Sequence, residues 1–104
     1  MANFNFNKVI LGGRLTADPE LKTTQSGKAV TSFSIAVNRR PSKNTDYQQP
    51  QADFINCVAW TVQAELISRY FRKGSSICVT GRLQVRDWTD QQGQKRYVTE
   101  VVVE

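Results

Sequence analysis
Most of this chain alternates apolar and polar positions with a period of two, the mark of strands, and one short stretch shifts to a helical period. Residues 7–15 (NKVILGGRL) carry an apolar run that ends in Gly12 and Gly13. Glycines inside a strand pattern indicate a bulge or a sharp bend, such as a barrel corner. Residues 16–27 hold Asp18-Pro19 and Ser26-Gly27 and read as a loop around a short strand near Leu21. Over residues 28–38 the alternation is regular: Ala29, Thr31, Phe33, Ile35 and Val37 share one side, and Val30, Ser32, Ser34, Ala36 and Asn38 share the other. Residues 39–52 (RRPSKNTDYQQPQA) contain two prolines and no apolar period, and are expected to form a long mobile loop.

Residues 53–60 (DFINCVAW) make a further strand. The period then changes. Over residues 62–72, Val62, Leu66, Ile67, Tyr70 and Phe71 fall on one helical stripe, with Gln63, Ser68, Arg69 and Arg72 opposite. Thr61 is placed to cap the N-terminus, and Gly74 to close the C-terminus after Arg72 and Lys73. Residues 75–89 read as a long strand, 90–94 (DQQGQ) as a hairpin turn, and 95–104 (KRYVTEVVVE) as the last strand. Five main strands with one helix between the third and fourth form the layout of an OB-fold, a small Greek-key barrel, all-β apart from that helix.

At 104 residues the chain has room for a single domain, residues 1–104, with a working but small core. Its formal net charge of +5 favours a polyanionic partner. Histidine is absent, which removes the usual general base and the commonest metal ligand at neutral pH. Cys57 and Cys78 form no CxxC pair and read as small buried or half-buried hydrophobes in a reducing cytosol. The sequence shows no membrane span and no secretory signal. It also contains no P-loop, GxSxG or HExxH motif. Asp87 and Asp90 lie near the hairpin turn, where the turn itself explains them better than a metal pair does. The expectation is a non-catalytic protein without metal or cofactor.

Strand parity locates the chemistry. In residues 75–89 the odd positions Ile77, Val79, Leu83 and Val85 are apolar and assigned to the core. The even positions Thr80, Arg82, Gln84, Arg86 and Trp88 then form a basic outer face that carries a tryptophan. In residues 53–60, Ile55, Cys57 and Ala59 make one core face, while Phe54, Asn56, Val58 and Trp60 make a second face bracketed by aromatics. An uncovered ring offers a stacking platform for an unpaired base, with little sequence preference. The competing reading makes Trp60 ordinary core beside the helix and packs Trp88 on a neighbouring loop or subunit. Arg39, Arg40 and Lys43 open the long loop, Arg82 and Arg86 accompany Trp88, and Lys95 and Arg96 follow the last turn. Cations at such positions neutralise phosphates and release counterions.

Taken together, NKVILGGRLTADPELK, SGKAVTSFSIAVNRR, ADFINCVAW, YFRKGSSICVTGRLQVRDWTD and GQKRYVTEVVV closely resemble the bacterial single-stranded DNA-binding protein family, from about Asn7 to Val103. The resemblance implies an OB-fold, a homotetramer and sequence-independent binding and protection of single-stranded DNA in replication, recombination and repair. It puts the family's stacking rings on Phe54, Trp60 and Trp88, in agreement with the parity reading. A further stacking tryptophan of some members falls near Pro41, where this chain has none, which leaves Arg39, Arg40 and Lys43 to hold phosphates there. Family members usually continue into a Gly/Pro/Gln-rich linker and an acidic tip that recruits replication and repair enzymes. No acidic tail is present up to Glu104, so such partners are expected only if the chain continues beyond it. The expected setting is a bacterial cytoplasm and nucleoid, with the coding sequence on a chromosome, plasmid or phage. Two rivals remain at this point: an RNA-binding OB domain, and a protein-interaction module of the primosome type.

Overall fold
The computed structural model describes residues 3–40 and 51–104. The alternation in them becomes β1 (Val9–Leu15), β2 (Lys22–Thr23), β3 (Ala29–Asn38), β4 (Ala52–Trp60), β5 (Ser76–Thr89) and β6 (Lys95–Val103), with α1 (Thr61–Tyr70) between β4 and β5. The sheet runs β1-β5-β6-β4-β3, and β1 also bonds to β3, so these five strands close on themselves. The two-residue β2 hangs on the outer side of β3. β4 and β6 run parallel, through Cys57↔Val101 and Val58↔Val102, and every other pair is antiparallel. This is the OB-fold expected from the order of elements.

Closure depends on two places where backbones come very close. Arg14 of β1 pairs with both Ser76 of β5 and Ala36 of β3, so β1 changes partner there. A Cβ on Gly13 would overlap the Ala36 carbonyl oxygen and stand 2.7 Å from Ile35 Cγ2. A Cβ on Gly81 would overlap the carbonyl oxygen of Val102 on β6. The corner read from the Gly12-Gly13 pair is therefore made by Gly13; the nearest atom to a Cβ on Gly12 is 3.9 Å away.

Odd positions point inward around the whole barrel. Leu15, Phe33, Ile35, Cys57, Ala59, Ile77, Val79 and Val101 are buried together with Ala64 and Ile67 of α1. Burying apolar surface contributes about 25 cal/mol per Å², so this one cluster supplies most of the drive to fold. Three expectations need correction. Leu83 and Val85 are 47% and 61% exposed rather than core. β5 and β6 stay paired out to Thr89↔Lys95, beyond the point where other strands cover them, so the hairpin stands clear of the barrel with both faces exposed. The helix buries Ala64 and Ile67 and leaves Val62, Leu66 and Tyr70 exposed. Small Ala64 lets α1 sit close against β3 and β4, and the larger side chains fall on the neighbouring ridge. Thr61 is not a capping residue: Trp60 holds the cap position without a side-chain hydrogen bond, and Thr61 has φ of 54°. This left-handed conformation, costly for a β-branched residue, turns the chain from strand to helix with no intervening loop.

At the far end, the Phe71 N–H donates to the Ile67 carbonyl and Arg72 Nη1 donates to the carbonyls of Ser68 and Phe71. Gly74, with φ of 86°, lies in the following turn, where its N–H donates to the Leu15 carbonyl at 2.8 Å. Helix exit and β1 are thereby tied together.

The two cysteines differ, which also corrects their common reading. Cys57 is buried, and burial followed by the nearby Glu100 carboxylate raises its thiol to about 11. Cys78 is exposed on the outer side of β5, opposite Gly12. Since the thiolate is the reactive form, an aromatic disulfide reagent at neutral pH is expected to titrate one thiol per folded chain and two after denaturation. Equal, fast reaction of both thiols in the folded protein would contradict this burial.

Candidate nucleic-acid interface
Residues directly opposite one another in a sheet point to the same side, so register decides whether the sequence-assigned faces are one surface or several. On β3 and β4, Val30, Ser32, Ser34 and Ala36 stand opposite Trp60, Val58, Asn56 and Phe54. Val58 stands opposite Val102 of β6, and Val102 opposite Arg82 of β5. Along the hairpin, Gln84, Arg86 and Trp88 stand opposite Glu100, Val98 and Arg96. Even positions thus share one side of the sheet across β3, β4, β6 and β5, exposed at its margins, with buried Val58, Val102 and Glu100 between them. It holds Phe54, Asn56 and Trp60 together with Arg82, Arg86 and Trp88.

The three rings on this surface are open. Phe54 is 69% exposed, Trp60 39% and Trp88 50%. Trp60 is therefore not ordinary core: part of its indole packs on the barrel while the rest stays uncovered. A groove of about 330 Å³ runs from Trp60 past Val58 and Val102 to Gln84, Arg86 and Glu100. A second hollow, about 460 Å³, lies between Trp88, Arg96 and the 90–92 turn. Phe54 and Trp60 are six positions apart on one strand, a span of roughly 20 Å at about 3.3 Å per residue. A chain of several nucleotides, rather than a single small ligand, matches rings placed so far apart.

The cations are arranged differently from the simplest sequence reading. Arg39 forms a two-pronged contact with Asp53, with Nη2 to Oδ1 at 2.8 Å and Nε to Oδ2 at 3.1 Å, and Nη1 donates to Gln51. This hydrogen bonding holds the Asp53 carboxyl below its ordinary range. Arg82 reaches Glu104 at 3.4 Å, Arg86 reaches Glu100 at 2.8 Å, Lys95 reaches Asp87 at 3.4 Å and Arg96 reaches Asp90 at 3.0 Å. Each of these cations already has a carboxylate partner. The pairs of Arg39, Arg82 and Lys95 are exposed on both sides and contribute only about 0–1 kcal/mol each, so a phosphate can take the carboxylate's place there at small cost; Glu100 and Asp90 are only 10% and 16% exposed, and they stay with Arg86 and Arg96. Arg40 is exposed at the end of the described β3 segment, and Lys43 lies outside the described residues.

The 90–94 turn has a structural cause and needs no metal. Asp90 Oδ1 accepts the N–H groups of Gln94 and Gln92, at 2.9 and 3.0 Å, and Oδ2 accepts from Arg96 Nε. The Gln94 N–H, opposed by burial and assisted by Arg96 and the Gln92 N–H, keeps the Asp90 carboxyl below its ordinary range. This fixes the base of the hairpin tip beside Trp88.

Sequence reasoning passed over Glu100 and Val102 as parts of the surface. The parity used for β5 would have found them, because Val98, Glu100 and Val102 occupy even positions of β6. Glu100 is largely buried, its side chain 10% exposed, and it holds Arg86 along the groove.

Comparison with known proteins fits this geometry. A model of the "Single-strand binding protein family" matches residues 6–104. Among curated relatives, "Single-stranded DNA-binding protein 1" of Lactococcus lactis subsp. lactis (strain IL1403) is 52% identical over 98 residues, covering 94% of this chain and 64% of the relative. "Single-stranded DNA-binding protein A" of Bacillus subtilis (strain 168) is 50% identical over 98 residues, 94% of this chain and 56% of its own length. The chain spans between about half and two thirds of the length of these relatives. Among solved structures, the Plasmodium falciparum SSB complex with ssDNA superposes with a TM-score of 0.84 at 29% identity, over 99% of this chain and 90% of that one. With nearly every residue inside the family match, and the same barrel in a structural neighbour, this chain belongs to the single-strand binding protein family.

Proposed function
We propose that the chain binds single-stranded DNA without sequence preference, stacking bases on Phe54, Trp60 and Trp88 and meeting phosphates at Arg82, Arg86, Lys95 and Arg96. Arg39, Arg40 and Lys43 extend the cationic margin, and Asn56 offers a hydrogen-bonding amide between Phe54 and Trp60. The observation that carries this reading is that the exposed rings and Arg82, Arg86 and Arg96 lie on one side of the sheet. Relatives about 50% identical are named for single-stranded DNA binding, and the structural neighbour was solved with it. The protein is a binder and not an enzyme, and serves replication, recombination and repair by protecting exposed strands at the bacterial nucleoid.

The proposed assembly is a homotetramer. Ile10, Leu83, Val85 and Tyr97 are apolar or aromatic, 47–68% exposed, and on or beside the outer barrel and hairpin, where other copies would cover them. Native mass spectrometry with and without a dT oligomer reads subunit count and stoichiometry together. A monomer at micromolar concentration would overturn the tetramer and leave the binding reading intact.

Titration with a dT oligomer at low salt is expected to quench tryptophan fluorescence. The logarithm of the binding constant should then fall with the logarithm of salt concentration, by about 0.7 per phosphate neutralised. Absence of quenching would favour a protein-interaction module, and equal competition by matched RNA would favour a general single-strand binder.

A further inference from the structure
The segment ahead of β1 carries two rings that the site above does not use. Asn3, Phe4, Asn5, Phe6 and Asn7 alternate amide and aromatic side chains. On an extended backbone this alternation sends both phenyl rings to one side. The structure agrees. The Phe4 and Phe6 rings are nearly parallel, 15° between their planes, and their centroids are 6.5 Å apart, two residues at about 3.3 Å each. They are 89% and 77% exposed.

Asn7 ties this arm to the edge of β5. Its Nδ2 donates to the Leu83 carbonyl at 2.7 Å, and the Leu83 N–H donates to its Oδ1 at 2.8 Å. The backbone pairing of β1 with β5 ends at Val9↔Gly81, so the Asn7 amide continues the attachment one step further along the hairpin. Leu83 lies between Arg82 and Gln84, and Gln84 lines the groove that leads to Trp60. Phe6 and Phe4 are one and three residues from the tether, so both stay within about 11 Å of it at about 3.6 Å per residue.

Stacked bases repeat at about 3.4 Å along a strand, so a ring, a base and a second ring in succession span about 6.8 Å. The two phenyl planes stand at close to that separation. We propose that Phe4 and Phe6 form a clip that takes one unpaired base of the polynucleotide between their rings. Each ring covers one flat face of the base, and no base edge is read, so the clip accepts any sequence. Asn5 and Lys8, both exposed, supply an amide and an ammonium group for the sugar-phosphate backbone on either side of that base. A second copy of the chain is the poorer occupant. A stable protein interface takes about 800 Å² from each partner, whereas an aromatic side chain buries only about 150–250 Å².

The inference rests on the single-stranded DNA reading, and its test separates the two. Labelled dT oligomers are titrated by anisotropy over a range of salt against the parent protein and three double variants: Phe4→Ala with Phe6→Ala, Phe4→Leu with Phe6→Leu, and Phe4→Tyr with Phe6→Tyr. Native mass spectrometry counts the subunits of each. The alanine and leucine pairs are expected to bind at least about fivefold more weakly, the loss of one stacked base, with the parent salt slope and the parent subunit count. The tyrosine pair keeps two flat faces and binds like the parent. Leucine keeps apolar bulk without a flat face, so it separates stacking from packing. Parent affinity in the alanine and leucine pairs overturns the clip and leaves the function standing. A subunit count that falls in the alanine pair and is restored by leucine gives the rings to a second copy and also overturns the clip. No binding by the parent protein overturns the function itself.

Discussion

Replacing Trp60 or Trp88 with alanine is expected to weaken binding of a dT oligomer by about 5- to 150-fold, with a nearly unchanged salt slope. Stacking of a base on an aromatic ring is worth about 1–3 kcal/mol, and each 1.4 kcal/mol is a factor of ten. The slope is kept because an indole neutralises no phosphate. These are the only two tryptophans of the chain, so each variant also removes part of the intrinsic fluorescence, and affinity is read from the anisotropy of a labelled oligomer. Trp60 is the less exposed ring, 39% against 50% for Trp88, and its alanine variant should also lose some stability. Trp60→Phe keeps a stacking face and much of the packing, and should recover most of the affinity. Parent-like affinity in Trp88→Ala would remove that residue from the site, and failure of Trp60→Phe to outperform Trp60→Ala would remove stacking as the role of Trp60.

Gly13→Ala and Gly81→Ala are expected to be among the most damaging single changes to the fold. In both, the added methyl lands on a backbone carbonyl oxygen of the adjoining strand, Ala36 or Val102, which cannot swing away as a flexible side chain does. Forcing atoms into filled space costs about 1–3 kcal/mol, occasionally more, against a whole-domain stability of about 5–15 kcal/mol. A domain of this size loses roughly 4–8 °C of melting temperature per kcal/mol, so thermal denaturation followed by circular dichroism reads the effect easily. Gly12→Ala is the internal comparison. Its added methyl meets nothing nearer than the Ile77 carbonyl at 3.9 Å, and the variant should stay within about 0.5 kcal/mol of the parent. Equal melting temperatures for Gly12→Ala and Gly13→Ala would show that β1 does not change partner where Arg14 bonds to both neighbours.

Elements and faces were largely legible from the chain alone. Period-two alternation over 28–38 put Thr31, Phe33 and Ile35 on one side, and all three are buried. Parity on β5 put Arg82, Arg86 and Trp88 outside, and they are exposed. The family resemblance agreed with the fold and with the match over residues 6–104. Local pattern failed where burial depends on something distant in sequence. Leu83 and Val85 continue the apolar parity of Ile77 and Val79, but no other strand reaches them. Val62, Leu66 and Tyr70 look like core on a helical wheel, yet the helix docks through Ala64 and Ile67. An apolar stripe states which residues can be buried, while the docking angle and the size of the contact residues select those that are.

The site divides in the same way. Covalent alternation of side chains along a strand dictates that Phe54 and Trp60 share a side, and that Arg82, Arg86 and Trp88 share a side, whatever the fold around them. Only the tertiary pairing joins those two sides into one surface, through Val58↔Val102 and Arg82↔Val102, because register between strands is set by barrel closure and not by either strand alone. The ion pairs of Arg82 with Glu104 and of Arg86 with Glu100 likewise exist only after folding. They bring together residues from separate strands, and the distances between such residues are fixed in space rather than along the chain.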